Sequence, residues 1–182
     1  MLDAAIKADA APPVEQDKIM FLTKFNAALC RAAMIGAVLG LFGIVFVVVW
    51  QVFGRYVMND TPTWAEGAAL VLVIYVTMLG AAAGVRDAGH IGMESILVLL
   101  PEKLRQKFEI VIHFLVGCFG AMMVWYGTVL GKSVMNYKIP SLGISEGINY
   151  VAVVVAGALI ILFCIEHIIA IFTGKEVIPS WH

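Results

Sequence analysis

A chain of 182 residues with 62% hydrophobic and 14% charged residues lies outside the balance of a soluble domain, and lipid is the solvent that tolerates it. A formal net charge of -1 supplies no basic stripe of the kind nucleic-acid binding asks for. The length accommodates about four spans of ~20 residues with short loops, so the expectation is one all-α integral membrane domain and no separate soluble unit.

Residues 1–26 place Asp3, Asp9, Glu15 and Asp17 among lysines around a Pro12-Pro13 break, without the apolar core and small-residue cleavage site of a signal peptide. From Glu15 onward Ile19, Leu22, Phe25 and Leu29 recur at helical spacing against Lys18 and Lys24. That pattern predicts a surface-lying helix leading into the membrane, or a plain tail. A transmembrane domain over residues 27–172 follows, with four apolar runs at 33–53, 65–85, 110–131 and 148–172. Each is about 30 Å or more as a helix, enough to cross the hydrocarbon core. Between the second and third runs, residues 91–101 (IGMESILVLLP) are too short to cross and are closed by Pro101, which predicts a short interfacial helix. Residues 173–182 form the C-terminal tail.

Nine basic residues (Lys7, Lys18, Lys24, Arg31, Arg86, Lys103, Arg105, Lys107, Lys175) fall on the side of the two tails and the second loop, against three opposite (Arg55, Lys132, Lys138). Positive charge marks the cytoplasmic side, so both termini are expected there. Trp50, Tyr56, Trp64, Trp125, Tyr126, Tyr137 and Tyr150 then gather at the outer interface, where aromatic rings belong.

A carrier needs polar groups or broken helices inside the bilayer. Here the span interiors hold little beyond Tyr75 and Thr77, no span contains an internal proline, and no inverted repeat is visible. Glu66 and Glu166 lie too near the interfaces to serve a self-sufficient exporter. What the spans do hold is small residues four apart: Ala28, Ala32, Gly36 and Gly40 in the first, Gly80 and Gly84 in the second, Gly117 and Ala121 in the third. Such rows let helix backbones approach, within the chain or against a partner.

Polar residues collect at helix ends. Thr63 and Glu66 fit a capping box, and Arg55 suits the C-terminal end of the first span. Arg55 and Glu66 share one interface, where they could pair. His113 and His167 lie one turn inside the third and fourth spans at matched depth. They are either hydrated at the headgroups or, as in the haem-binding membrane anchor of a respiratory enzyme, placed to ligate a haem between helices. Cys30, Cys118 and Cys164 lack metal or redox spacing and read as packing residues.

The loops carry a resemblance. GRYVMNDTPTWAE at 54–66, LGAAAGVRDAGHIGME at 79–94 and KIPSLGIS at 138–145 are similar to the DctQ-like small membrane subunit of tripartite ATP-independent periplasmic (TRAP) transporters. Arg55, Tyr56, Asn59, Trp64, Glu66, Arg86, His90 and Ile91 match that family's pattern. Gly67 stands where a second Glu is usual, Met93-Glu94 where Val-Asp is, and Ser145 where Pro is. The resemblance implies a non-catalytic subunit without cofactor or metal. It would scaffold a large membrane subunit for ion-driven uptake of an organic anion (a dicarboxylate, keto acid or sialic acid) brought by a periplasmic binding protein.

Overall fold

The structure, a computed structural model, describes residues 13–87 and 102–173. These form four helices: α1 (Pro13–Tyr56), α2 (Thr63–Asp87), α3 (Glu102–Ser133) and α4 (Gly147–Thr173). Each contains a segment long and apolar enough to cross a membrane, at Leu22–Met58, Thr63–Asp87, Lys107–Ser133 and Gly147–Ile171. The all-α, four-span architecture is as expected, with longer helices than the apolar runs alone mark. The interfacial helix expected at 91–101, His90, Ile91 and both tails beyond residues 13 and 173 lie outside the described residues.

The surface helix expected near Glu15 is not a separate element. It is the first part of α1, which runs 44 residues without interruption, about 66 Å at 1.5 Å per residue. No glycine or proline falls between Pro13 and Gly36 to break it, and Pro13 sits at the first helical position, where its missing N–H costs nothing.

The helices do not close into a four-cornered bundle. Among the described residues they are ordered α1–α2–α4–α3: α2 packs on α1 and on α4, while α3 has extensive packing with α4 alone. Small residues make the two hairpins. A Cβ on Gly40 of α1 would lie 2.6 Å from Val76 Cγ2 of α2, and one on Gly36 3.4 Å from Leu79 Cδ1. On α3 the buried positions His113, Gly120 and Gly127 are seven apart, one stripe facing α4. There the backbones nearly touch, since a Cβ on Gly157 would lie 2.8 Å from the Gly120 carbonyl oxygen. The small core comprises Cys30, Ala33, Ala82, Ala83, Ala156, Leu159, Ile160, Phe163 and Cys164.

Two loops close the end at which α1 and α3 finish. After α1 the chain reverses through Asn59, whose φ of 51° is left-handed, a conformation asparagine tolerates. The Asp60 N–H donates to the Gly54 carbonyl at 3.1 Å. Between α3 and α4, Ile139 N donates to Ile144 O at 2.9 Å and Glu146 N to Tyr137 O at 2.8 Å, and Gly143 supplies the positive φ of 69° that the turn needs. This second loop lies on the start of α2. A Cβ on Gly67 would collide with Ser141 Oγ and stand 3.2 Å from Leu142 Cγ, which gives the glycine a physical reason where the family usually has Glu. Gly67→Glu is therefore expected to lift the loop, and trypsin cleavage at Lys138 should become markedly faster than in the parent chain. Unchanged cleavage would mean the loop does not rest on α2.

Candidate functional site

At the end of the domain where α2 and α4 finish, the last turn of α2 puts Arg86 and Asp87 side by side, and α4 puts Glu166 and His167 opposite them. The Arg86 guanidinium meets Glu166 with two parallel bonds, Nε to Oε2 and Nη2 to Oε1, each 3.2 Å. Its Nη1 donates to Asp87 Oδ1 at 3.0 Å. From α1, Asn26 Nδ2 donates to Glu166 Oε2 at 2.9 Å and to the Leu162 carbonyl at 3.4 Å, while the Cys30 thiol lies 3.3 Å from Asp87 Oδ2 as donor. The planar fork of arginine matches a carboxylate two-on-two, a geometry lysine cannot reproduce.

His167 completes the link between α2 and α4. Its Nε2 is 3.0 Å from the Arg86 carbonyl oxygen, one of the carbonyls that the end of α2 leaves without an intrahelical partner. A carbonyl only accepts, so Nε2 carries the proton. On the other side His113 of α3 stacks on His167, with centroids 4.5 Å apart and ring planes within 4°. All four helices thus meet in one cluster. The buried polar side chains among the described residues (Asn26, Arg86, Asp87, His113, Glu166 and His167) all belong to it.

In lipid such groups are costly unless they satisfy one another, and here each is turned toward another helix of the same chain. Chemically the arrangement is a clasp. It fixes the register of α1, α2 and α4 through directional bonds, where apolar packing alone would permit sliding. The histidine geometry also corrects the haem alternative: axial ligands approach an iron from opposite faces of the porphyrin, whereas these rings lie against each other and one has its Nε2 on a backbone carbonyl.

The other expected site residues lie elsewhere. Arg55, Tyr56, Asn59, Trp64 and Glu66 all sit at the opposite end, exposed; Tyr56 is 79% and Trp64 43% accessible. Arg55 and Glu66 do not pair; the described ion pairs are Arg86–Asp87, Arg86–Glu166 and Arg105–Glu109. Tyr75 and Thr77 both have internal partners: Tyr75 donates to the Ile148 carbonyl of α4 at 2.9 Å, and Thr77 to Val73 O at 2.7 Å in its own helix. Gly36 and Gly40 face Leu79 and Val76 of α2, whereas a Cβ on Gly80 or Gly84 would meet nothing within 4 Å among the described residues. These two glycines line an open groove of about 310 Å³ with Met34, Ala37, Val38 and Asp87.

The family described as tripartite ATP-independent periplasmic transporters, DctQ component, matches residues 44–174. The chain belongs to that family. It is therefore a transporter subunit and not an enzyme, a multi-pass protein of the inner membrane. It is 24% identical over 122 residues to the sialic acid TRAP transporter small permease protein SiaQ of Vibrio cholerae, covering 67% of this chain and 70% of the relative. It is 28% identical over 144 residues to the sialic acid TRAP transporter permease protein SiaT of Haemophilus influenzae, covering 78% of this chain but only 23% of that longer protein. A shorter match, 30% over 61 residues, covers 34% of this chain and 26% of the C4-dicarboxylate TRAP transporter small permease protein DctQ of Vibrio cholerae. Arg86, His113, Glu166 and His167 fall inside the DctQ component match; Asn26 and Cys30 precede it.

The sequence pattern reaches Arg86 but not its partners. It gives Asn26, Asp87 and Glu166 no place in a site, and it marks Cys30 for packing alone. The signal available is charge of opposite sign at equal depth: Arg86 ends the second span about as far from the loops as Glu166 lies in the fourth.

Proposed function

We propose that this small permease subunit scaffolds a large ion-coupled permease chain, in sodium-driven uptake of an organic anion of the sialic acid or dicarboxylate class delivered by a periplasmic binding protein. Both termini lie in the cytoplasm in this reading, as the placement of nine of the twelve basic residues favours. The observation that carries the scaffold role is that the buried polar groups among the described residues converge on one clasp between helices of this chain. A substrate path would hold several such groups open to a cavity, whereas of the clasp only Asp87 also lines a groove. Substrate class follows the names of the relatives, SiaQ, SiaT and DctQ. Gly80 and Gly84, where an added Cβ would meet nothing within 4 Å among the described residues, are assigned to the partner, with Arg55, Tyr56, Trp64 and Glu66 meeting it or the binding protein at the other end.

The test is uptake into proteoliposomes with the large permease and binding protein supplied. Tyr75→Phe removes one interhelical hydrogen bond, worth about 0.6 kcal/mol in membrane proteins, and Thr77→Val removes one within a helix. Each variant is expected to retain most of the uptake. Loss of transport by either, in a complex that still assembles, would place this subunit on the substrate path and overturn the scaffold reading.

A further inference from the structure

At the loop end a groove of about 470 Å³ runs along the seam of α3 and α4, walled by Met135, Ile148, Val151 and Val155, with Lys132 at its mouth. We propose that this groove binds a glycerophospholipid, its acyl portion in the groove and its phosphate on Lys132.

The wall offers an occupant almost nothing polar. Of the aliphatic hydroxyls beside it, Thr128 Oγ1 donates to Val124 O at 2.7 Å. Ser145 Oγ donates to Met135 O at 2.6 Å and accepts from Gly147 N at 3.2 Å. Both are engaged with their own backbone. The charged group is Lys132, exposed in the last turn of α3 and in none of the described ion pairs. Glu146 of the neighbouring loop is exposed but does not line the groove. Lys138 of the same loop is likewise exposed and does not line the groove.

The lining selects the occupant. The groove runs beside Ile148 to Val155, about 10 Å of helix, and its wall is almost wholly carbon, which an alkyl chain matches and a polar segment does not. Depth selects the headgroup. Tyr150 lines the groove and Tyr137 lies in the adjoining loop, the level at which tyrosine marks the boundary of the hydrocarbon. A lysine there faces phosphate as a point charge.

The experiment is native mass spectrometry of the full chain, purified in mild detergent with phosphatidylglycerol added. One lipid is expected to stay bound per chain. Lys132→Gln should lower its occupancy about tenfold, the loss of one charge-assisted contact. Val151→Trp with Val155→Trp should abolish it, and both positions face outward, 52% and 43% accessible, so the fold survives. Equal retention by all three proteins would mean annular lipid only and overturn the site. Loss with the tryptophans but not with Lys132→Gln would overturn phosphate recognition, and displacement of the lipid by inorganic phosphate alone would overturn the role of the groove.

Discussion

Glu166→Ala is expected to destabilise the isolated chain by about 3–5 kcal/mol, the cost of leaving a buried guanidinium without its main partner. The loss has three parts. Arg86 forfeits its two-pronged contact, Asn26 forfeits the acceptor that holds α1, and the remaining Arg86–Asp87 pair joins adjacent residues and ties no helices together. Unfolding titrated with SDS in mixed micelles reads the effect. Arg86→Lys separates geometry from charge: it keeps the positive charge but loses the fork, so it should recover only part of the stability. Wild-type stability in Arg86→Lys would show that the fork is not what the clasp uses.

The second large effect is at the closest backbone approach. Gly157→Leu is expected to cost at least about 3 kcal/mol, the upper end of overpacking, because a Cβ there meets the Gly120 carbonyl oxygen at 2.8 Å and Met123 Cβ at 2.9 Å. Neither atom is the free end of a flexible side chain, so α3 and α4 must separate. Gly84→Leu is the control with the opposite pattern. A Cβ there meets nothing within 4 Å among the described residues, so the isolated chain should keep its stability, while co-purification with the large permease should fall if Gly84 meets the partner. Thermal unfolding of the chain alone, set beside the yield of the complex, distinguishes the two. A destabilised Gly84→Leu chain would assign that glycine to internal packing.

Span number and helix type are legible in the sequence because lipid imposes length and apolarity on any run that crosses it. The row Gly36 and Gly40 is written in the sequence as small residues four apart, and both positions face side chains of α2, Leu79 and Val76. Ala28 and Ala32 of the same row face away from this chain's other helices, since the buried face of α1 passes instead through Asn26, Cys30 and Ala33, and a stripe of mixed residue types has no compositional mark. The clasp escapes for a different reason. Glu166 and His167 lie near a helix end, where charge is ordinarily solvated, and only the approach of α1 and α2 takes them out of water. The seven-residue spacing of His113, Gly120 and Gly127 is present in the letters, but a histidine in the row hides it from a pattern built on small residues alone. The loop conformations at Asn59 and Gly143 are carried by residue types that tolerate positive φ, without indicating what the second loop rests on.

The serial order of the helices has a consequence for how this sequence can change over time. In α1, α2 and α3 only 11% of the most apolar window is buried, against 39% in α4. Outward positions on the first three helices are free to drift among apolar residues, since lipid asks only for hydrophobicity. The inner face of the fourth helix has no such latitude: Ala152, Ala156, Gly157, Ile160, Phe163, Cys164, Glu166 and His167 are all enclosed, so their side-chain volumes are fixed by neighbours. Divergence between subunits of this kind should therefore be slowest along α4 and fastest along the lipid-facing side of α1, with any slow positions on that outer side marking where a foreign helix rests.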